Sequence, residues 1–275
     1  MRLPSPARIP YHLALRWGWL RRRLYRRRLA RVAARPLPAS PELPAAYHAF
    51  SGTGDLAEQV ASLRSFLRHA GTPSAIVVVG DGTHRPEHRA ILQSIHPRVQ
   101  VVPWTEFIRP GLPRPVLEYA AVHPLGKKLA VLMSLPTAGP LVFSDSDILY
   151  FPAAADLRQR LRGESRAPEF LVDSYPSVDP RLVRGEAEKH PPVNSGFALL
   201  HRPLDWSVAG ERLAAAAGPA RHFTEQTAFH LAMRASGGVP LPRTAYVFES
   251  DDQWSCFDRH LGPGVALRHY FTSLR

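Results

Sequence analysis

Short apolar runs alternate with amphipathic segments along most of this chain from residue 45 onward. Runs such as SAIVVVG at 74–80 and LVFSD at 141–145 have the continuous apolar character of strands that are covered on both faces. Between these runs lie segments such as 56–67, in which apolar residues recur at helical spacing. Alternation of this kind predicts a largely parallel mixed sheet flanked by helices, which is an α/β fold of the Rossmann-like type.

Run lengths and turn residues give the expected positions of eight strands and four helices. The first helix is expected to begin at a capping box formed by Asp55 and Glu58 and to stop before Gly71. No internal repeat is found in the sequence. We predict strands at 45–50, 74–80, 99–102, 141–145, 170–173, 196–200, 246–248 and 266–270, and helices at 56–70, 86–95, 125–135 and 225–235.

Charge is concentrated in the first 35 residues. That stretch holds eleven of the 35 basic residues, all of them arginine, and no acidic residue. The 24 basic residues that remain from 36 to 275 are balanced by 23 acidic ones, so nearly all of the net charge of +12 belongs to this arm. Because the rest of the chain is close to neutral, specific recognition of nucleic acid by the domain is not expected.

A proline-rich stretch separates the arm from the alternating pattern. Prolines at 36, 38, 41 and 44 prevent a helix and favour an extended connector. The expected organisation is therefore a basic arm at 1–35, a linker at 36–44 and a single domain at 45–275.

The arm has the composition of a segment that lies in a membrane interface. Trp17, Trp19 and Leu20 are interspersed with arginines, a mixture that suits the headgroup layer of an anionic membrane. Projected on a helix, Arg21 and Arg28 interrupt the apolar side, so the amphipathic pattern is imperfect. A disordered basic tail and non-specific contact with RNA or DNA are the alternatives.

Cysteine usage and hydropathy place the protein in a reducing compartment. Cys256 is the single cysteine, so no internal disulfide can form. No apolar run reaches the roughly 18 residues of a membrane span, and arginines occupy the place of a secretory h-region. We expect a cytoplasmic protein, attached peripherally to the inner membrane surface if the arm binds lipid.

Two acidic residues stand at the end of an otherwise apolar strand. Asp145 and Asp147 are two positions apart in LVFSDSDILYF, so on an extended backbone both carboxylates face one side, roughly 6.5–7 Å apart. Ligands of parallel sheets bind beyond the carboxyl ends of the strands, where this pair is placed. Hard oxygen ligands suit Mg²⁺ or Mn²⁺, so the pair predicts a divalent metal site that receives substrate phosphates.

The same segment resembles a known family. LVFSDSDILYFPAAADL at 141–157 is similar to the D-x-D segment of metal-dependent glycosyltransferases of the GT-A fold, especially the glycogenin-like and lipopolysaccharide galactosyltransferase-like group. VNSGFALL at 193–200 resembles the Asn-x-Gly turn of that group, and TEQTAF at 224–229 its short acidic-Gln helix start, although Glu225 stands where those relatives more often have Asp. His269 in LRHYF matches a histidine that completes their metal site. The resemblance spans about 45–270.

The resemblance implies roles for specific residues. Catalytic roles fall to Asp145, Asp147, Asn194 and Glu225. The metal, Mn²⁺ or Mg²⁺, would be held by Asp145, Asp147 and His269, with Asp147 binding it more directly. Donor-binding residues would be Ser51, Gly52, Asp81, Lys127, Lys128 and Ser146. The sugar and acceptor side would comprise Ser195, Gly196, Gln226, Asp251, Asp252 and Trp254.

The implied reaction transfers a sugar from a nucleotide-diphosphate sugar, expected to be a UDP-sugar, to a glycan or lipid-linked acceptor. Negative charge builds on the leaving diphosphate, and a divalent ion together with Lys127 or Lys128 would neutralise it. By analogy with the group, retention of the anomeric configuration is favoured. An inverting enzyme would need a general base, for which Glu225, Asp251 and Asp252 are eligible.

Two other functions remain open on the sequence. SGTGDLA at 51–57 contains G-x-G-x-x-A between a strand and a helix, the context of an NAD(P)-binding oxidoreductase, but Asp81 lies 29 residues after Gly52 rather than about 20. A non-catalytic protein that binds membrane or nucleic acid through its arm is the second alternative. His84 and His88 have zinc-like spacing without a third ligand, so two surface histidines are expected.

Overall fold

Seven strands form the central sheet, in the order β3-β2-β1-β4-β7-β6-β8. The computed structural model describes residues 11–136, 138–162, 167–249 and 260–270. The strands of this sheet are β1 (Glu42–Ser51), β2 (Thr72–Gly80), β3 (Val99–Pro103), β4 (Leu141–Asp145), β6 (Glu169–Val172), β7 (Val193–Leu200) and β8 (Val239–Pro240). A three-stranded sheet, in the order β5-β10-β9, consists of β5 (Ile148–Tyr150), β9 (Tyr246–Val247) and β10 (Leu267–His269).

Ten α-helices accompany the strands in the described residues. They are α1 (Tyr11–Arg27), α2 (Leu29–Ala33), α3 (Leu56–His69), α4 (Pro86–Gln93), α5 (Trp104–Phe107), α6 (Arg114–Val122), α7 (Pro124–Leu132), α8 (Leu157–Arg160), α9 (Ser207–Ala215) and α10 (Thr224–Ala235). Among the residues that the structure describes, no helix is long and apolar enough to cross a membrane.

The sheet is mixed and mainly parallel, as the alternation of strand and helix predicts. Strands β1 to β4 run parallel to one another, whereas β7 is antiparallel to both β4 and β6. Strands β1, β2 and β4 therefore bring their carboxyl ends to one edge of the sheet, which Ser51, Asp81 and Asp145 occupy. The change of direction at β7 departs from a dinucleotide-binding fold, in which a second parallel half follows the first.

Apolar side chains cover both faces of the central strands. One cluster joins β1 and β2 to α3, and includes Val60, Leu63 and Phe66, which are fully buried. A second cluster packs β4 and β7 against α10, and a third lies among α6, α7, α9 and α10. These contacts stabilise the strands whose ends carry the polar residues described below.

The second sheet positions a residue from the end of the chain beside the end of β4. Strand β5 follows β4 after a two-residue turn and pairs with β10 in antiparallel register, with His269 opposite Ile148. The backbone N–H of Tyr270 donates to the carbonyl of Asp147 at 2.8 Å. Residues 147 and 269, which are 122 positions apart in sequence, are therefore neighbours in space.

All eight strands and four helices that the sequence predicts are present, with shifted ends. The expected capping box is wrong, because Asp55 makes no side-chain cap hydrogen bond and the Glu58 carboxylate pairs with Arg22 instead. A turn of 3₁₀ helix at Thr53–Asp55 precedes α3 and replaces the extended backbone that such a cap requires. The pattern missed the helices α6 and α9 and the short elements α5, α8, β5 and β8.

The described part of the arm, from residue 11 onward, is mainly helical, and its end packs on the domain. Leu29 and Ala33 of α2 are buried in the cluster formed by β1, β2 and α3. The Arg64 guanidinium donates to the carbonyls of Ala33 and Arg35 at 2.8 and 2.7 Å. Strand β1 begins at Glu42, inside the proline-rich stretch.

Candidate active site

Asp145, Asp147 and His269 form a cluster at the carboxyl end of β4. One ligand atom from each residue can be chosen so that all three atoms lie within 4.8 Å of one another. The Nε2 atom of His269 lies 2.9 Å from Oδ1 of Asp147, and the side chains of both residues are buried. Among the described residues, no other group of three or more His, Cys, Asp or Glu side chains has a geometry that could hold a metal ion.

Asn194 holds His269 in one orientation. Its Oδ1 atom accepts a hydrogen bond from the backbone N–H of Gly196 at 2.9 Å and lies 3.1 Å from Nδ1 of His269. A proton on Nδ1 would satisfy that oxygen, and Nε2, which faces Asp147, would then be available to bind a cation. A histidine that is fixed in this way by an oxygen atom is typical of metal ligands.

Gly196 is explained by the close approach of His269. A Cβ atom at position 196 would lie 2.5 Å from Cε1 of His269 and 2.8 Å from Oδ1 of Asn194. A larger residue would displace the imidazole from the cluster. The structure therefore places Gly196 beneath the histidine, whereas the sequence placed it on the acceptor side.

Lys128 lies among the carboxylates of the site. It is buried on α7, and its Nζ atom donates to Oδ2 of Asp145 at 2.7 Å. The same atom lies 3.3 Å from the hydroxyl of Ser195 and 3.7 Å from Oε1 of Glu225. Ser195 donates to Oε2 of Glu225 at 3.1 Å, so helix α10 and strand β7 join this network.

The pKa values of this network reflect burial and mutual attraction. Burial alone would lower the pKa of Lys128, but Asp145 and Glu225 outweigh it, so the pKa is raised and the ammonium is retained. Burial raises the pKa of Glu225, opposed by Lys128 and reinforced by the negative charge of Asp145. Lys128 and Glu225 therefore shift each other's pKa toward the charged form inside the fold.

Asp173 also belongs to the site, although the sequence analysis did not select it. It follows β6, is buried, and accepts hydrogen bonds from Nε2 of Gln226 at 2.8 Å and from the backbone N–H of Tyr175 at 3.1 Å. Burial raises its pKa, against the lowering effects of these donors, Asn194 and His269. The sequence does contain a signal for Asp173. FLVD at 170–173 is an apolar strand that ends in an acidic residue, as LVFSD at 141–145 is.

The expected donor residues at the ends of β1 and β2 form a separate group. A Cβ atom at Gly52 would lie 2.5 Å from Oδ2 of Asp81, so a larger residue there would displace the Asp81 carboxylate. Lys127 donates from Nζ to the backbone carbonyl of Asp81 at 2.8 Å and lies 5.7 Å from the centre of the Trp104 ring. Lys127 and Lys128 are adjacent in sequence but contact different groups of residues, since Lys127 bonds to Asp81 and Lys128 to Asp145.

The expectation that His84 and His88 are surface residues is wrong, since both are buried. Nε2 of His84 lies 3.1 Å from the carbonyl of Ser51, so this histidine supports the first loop. Burial lowers the pKa of His84, which keeps it neutral. Nδ1 of His88 lies 3.2 Å from the hydroxyl of Thr53.

Of the remaining residues expected at the site, two are described by the structure and three are not. Ser146 is buried in the turn between the two aspartates and lines a cavity beside α1. Gln226 lies with Asp173 as described. Asp251, Asp252 and Trp254 lie outside the described residues, so their assignment to the acceptor side stays a prediction.

The architecture is that of the GT-A glycosyltransferases, so the expected fold is confirmed. The galactosyltransferase LgtC, solved with donor and acceptor sugar analogues, matches with a TM-score of 0.53 at 11% identity over 82% of this chain and 86% of that chain. Mouse xyloside xylosyltransferase 1 matches with a TM-score of 0.52 at 13% identity, over 85% and 99%. The glycosyltransferase GlyE of Streptococcus pneumoniae gives 0.50 at 14% identity, over 84% of this chain and 55% of that chain. No protein-family model and no curated protein sequence matches the chain.

The donor atoms of the cluster fit a divalent cation. Two carboxylates and an imidazole nitrogen suit Mn²⁺ and similar ions, and the histidine makes the set less typical of Mg²⁺. Asp145 shares its carboxylate with Lys128, and a bound divalent cation would add a second positive partner for the carboxylates of the cluster.

Proposed function

We propose that the protein is a divalent-metal-dependent glycosyltransferase that moves a sugar from a nucleotide-diphosphate sugar to a glycan or lipid-linked acceptor. The donor in this proposal is a UDP-sugar, the metal is Mn²⁺ or Mg²⁺, and the protein acts at the inner surface of the cytoplasmic membrane. The observation that carries the proposal is the cluster of Asp145, Asp147 and His269 beside Lys128, at the sheet edge where such folds bind ligands.

The residues of the cluster meet the needs of this reaction. A divalent ion held by Asp145, Asp147 and His269 would supply Lewis-acid stabilisation of the leaving diphosphate. Asn194 keeps the Nε2 atom of His269 available as a ligand. Lys128 fixes Asp145 and adds a buried positive charge that requires no reorganisation during the reaction.

The group at the ends of β1 and β2 is suited to the nucleoside. Ser51, Gly52 and Asp81 lie at the same sheet edge as Asp145, because β1 pairs with both β2 and β4 in parallel. The half-buried Trp104 lies beside Lys127 and offers an aromatic face close to Gly82. An aromatic ring and a lysine are suitable partners for a base and a phosphate.

The arrangement of Glu225 supports transfer with retention. One of its oxygens accepts from Ser195 and the other faces Lys128, so neither is directed to an incoming hydroxyl. An inverting enzyme requires a general base within hydrogen-bond reach of the acceptor hydroxyl. Asp173 and Gln226, which are hydrogen-bonded to each other beside Asn194, are proposed to contact the transferred sugar.

The first test is thermal unfolding with UDP, GDP or NAD, each with and without Mn²⁺. A ligand that binds only the native state stabilises it, by about 2.7 kcal/mol at 100 times its dissociation constant. We expect a manganese-dependent rise in midpoint with one nucleoside diphosphate. Asp147→Asn should lose that rise, whereas Asp205→Asn, an exchange at an exposed position outside the site, should keep it.

The same measurement can contradict the proposal. A rise with NAD that ignores both Mn²⁺ and Asp147→Asn would favour an oxidoreductase. No rise with any nucleotide, in a protein that still unfolds cooperatively, would remove the donor site and leave the arm as the functional region.

A further inference from the structure

The outer face of helix α1 exposes an unusual amount of apolar surface. Ten large apolar side chains are exposed in the described residues, and four of them lie within eight positions of this one helix. They are Trp17, Trp19, Leu20 and Leu24, which are 50%, 63%, 40% and 41% exposed. At helical spacing Trp17, Leu20 and Leu24 share one side of α1 and Trp19 lies on its other flank, and exposed apolar surface of this kind marks a binding face.

Arginines surround this apolar face. The guanidinium of Arg21 lies 5.1 Å from the centre of the Trp17 ring, and that of Arg23 lies 5.4 Å from the Trp19 ring. Residues 11–35 contain nine arginines and no acidic residue. The outer face therefore combines exposed rings with uncompensated positive charge, which complements an anionic lipid headgroup layer.

The inner face of α1 is fixed to the domain beside the active site. Arg22 pairs with Glu58 of α3, and the hydroxyl of Tyr25 donates to the carbonyl of Ala57 at 3.2 Å. Gly18, Arg22 and Tyr25 recur at helical spacing, so they share this side of the helix. The helix is consequently held in place while its opposite face stays exposed.

A cavity of about 340 Å³ lies between α1 and the metal-binding turn. Gly18 and Tyr25 line it on one side, and Ala61 and Leu149 line it on the domain side. Asp147, one of the candidate metal ligands, also lines the cavity, as does the ion pair of Arg22 and Glu58. A cavity with mainly apolar walls therefore lies between α1 and the candidate metal site.

We infer that α1 docks on an anionic lipid surface and that the cavity beneath it receives the apolar chain of a lipid-linked acceptor. This inference rests on the proposed function and specifies its acceptor. Docking through Trp17, Leu20 and Leu24 would hold the cavity at the level of the headgroups. The acceptor chain would then reach Asp147 without leaving the interface.

Nucleic acid fits these observations less well than lipid. Phosphate contacts account for the arginines and stacking accounts for the tryptophans, but neither accounts for the exposed Leu20 and Leu24. A mainly apolar cavity that Asp147 lines also has no role in binding the phosphate backbone of a nucleic acid. The lipid surface is therefore the partner that explains the charge, the leucines and the cavity together.

The surface is tested by co-sedimentation of the full chain with vesicles of phosphatidylglycerol or of phosphatidylcholine. Each arginine near an anionic surface contributes about fivefold in affinity. Arg21→Gln/Arg23→Gln/Arg27→Gln should therefore weaken binding to phosphatidylglycerol by about 100-fold. The control Arg89→Gln/Arg109→Gln/Arg162→Gln removes the same charge from exposed positions outside the arm and should bind as the wild type does.

The cavity is tested with a blocking substitution. A Cβ atom at Gly18 meets no atom within 4 Å, so Gly18→Phe can be accommodated and would project its ring into the cavity. The probe is decyl glucoside below its critical micelle concentration, compared with methyl glucoside. We expect decyl glucoside to bind the wild type at least tenfold better than methyl glucoside, and Gly18→Phe to abolish this difference.

Matched measurements separate this inference from the proposed function. Gly210→Phe, also in a helix and also free of contacts, is the control and should retain binding of the decyl chain. Gly18→Phe should keep both vesicle binding and the manganese-dependent shift with nucleotide. Equal binding of both vesicle types would overturn the inference, and so would tighter binding of an RNA oligonucleotide than of vesicles. Unchanged binding of decyl glucoside in Gly18→Phe would overturn it as well. Each of these outcomes would leave the donor site intact.

Discussion

Two charged regions of this molecule are built in opposite ways. In the active-site cluster, the side chains of Asp145, Asp147, Lys128 and Glu225 are at most 20% exposed, and hydrogen bonds or ion pairs hold each of them. On α1, the arginines of the outer face are exposed and no acid opposes them. The charged side chains of the first region are largely buried inside the fold, and those of the second are exposed to solvent.

The difference predicts how each region responds to change. A buried charge is tolerated only when its partners are present, so the removal of one residue should have a large effect. Exposed charges act through their sum and are screened by water and salt, so single changes should have small effects. The predictions below test this contrast, from the largest effect to the smallest.

The strongest test replaces Lys128 and compares it with its neighbour. Lys128→Met leaves Asp145 and Glu225 without their positive partner, and we expect it to lower the free energy of unfolding by about 3–5 kcal/mol. Lys127→Met removes a partly exposed contact with a backbone carbonyl and should cost less than about 1 kcal/mol. Urea unfolding of both variants in metal-free buffer measures the difference, and equal losses would contradict the assigned network.

Asn194 tests whether His269 acts as a positioned ligand. Asn194→Ala removes the acceptor for the Nδ1 proton of His269, and we expect Mn²⁺ affinity to fall by about 10–100-fold. Asn194→Asp supplies a similar oxygen and should retain most of the affinity. Calorimetric titration with Mn²⁺ in the presence of the bound nucleotide distinguishes this role from a structural one, for which both variants would lose stability without a selective loss of metal binding.

Asp173 gives the site a pH dependence that the arm cannot have. Burial raises the pKa of Asp173, so between about pH 4, where it titrates in the unfolded chain, and its higher folded pKa the native state binds more protons. Its contribution to stability is therefore lost as the pH rises through that window. Asp173→Asn should be more stable than the wild type at pH 7, with the advantage disappearing below about pH 4, and thermal unfolding across pH measures it. A constant advantage at every pH would show that charge is not the cause.

The smallest effect is expected at the attachment of the arm. Arg22→Gln breaks a partly exposed ion pair with Glu58 and should change the free energy of unfolding by less than about 1 kcal/mol, because such pairs are worth little in water. Urea unfolding at low and high salt checks this value. A loss of unfolding free energy comparable with that of Lys128→Met would show that attachment of the arm depends on the Arg22–Glu58 pair as strongly as the candidate site depends on Lys128.

Much of the fold could be predicted because its elements have local signals. The apolar runs of β2 and β4 and the helical spacing of α3 determine their type without knowledge of their partners. The helix α6 was missed although its prolines at 113 and 115 lie at the helix start, where proline is well accommodated. The short strand β5 has no pattern of its own and exists because β10 pairs with it.

The candidate site was only partly predictable from the sequence. The aspartates at 145 and 147 are marked by their position after a strand, and the same rule would have found Asp173. The split between Lys127 and Lys128 could not be read from sequence, because it depends on which side of α7 faces Asp145. The burial of His84 and His88 likewise depends on packing of the first loop against α4.

The sequence by itself determined the alternation of strand and helix, the position of the paired aspartates at a strand end and the separation of a basic arm from a neutral domain. These properties depend on local propensity, periodicity and charge, which each segment carries alone. Only the tertiary structure decided that His269 meets Asp147, that Gly196 makes room for that histidine, and that the exposed aromatic face of α1 adjoins a cavity that Asp147 lines. Those contacts join residues far apart in sequence, and they exist because strand pairing and helix packing bring their backbones together.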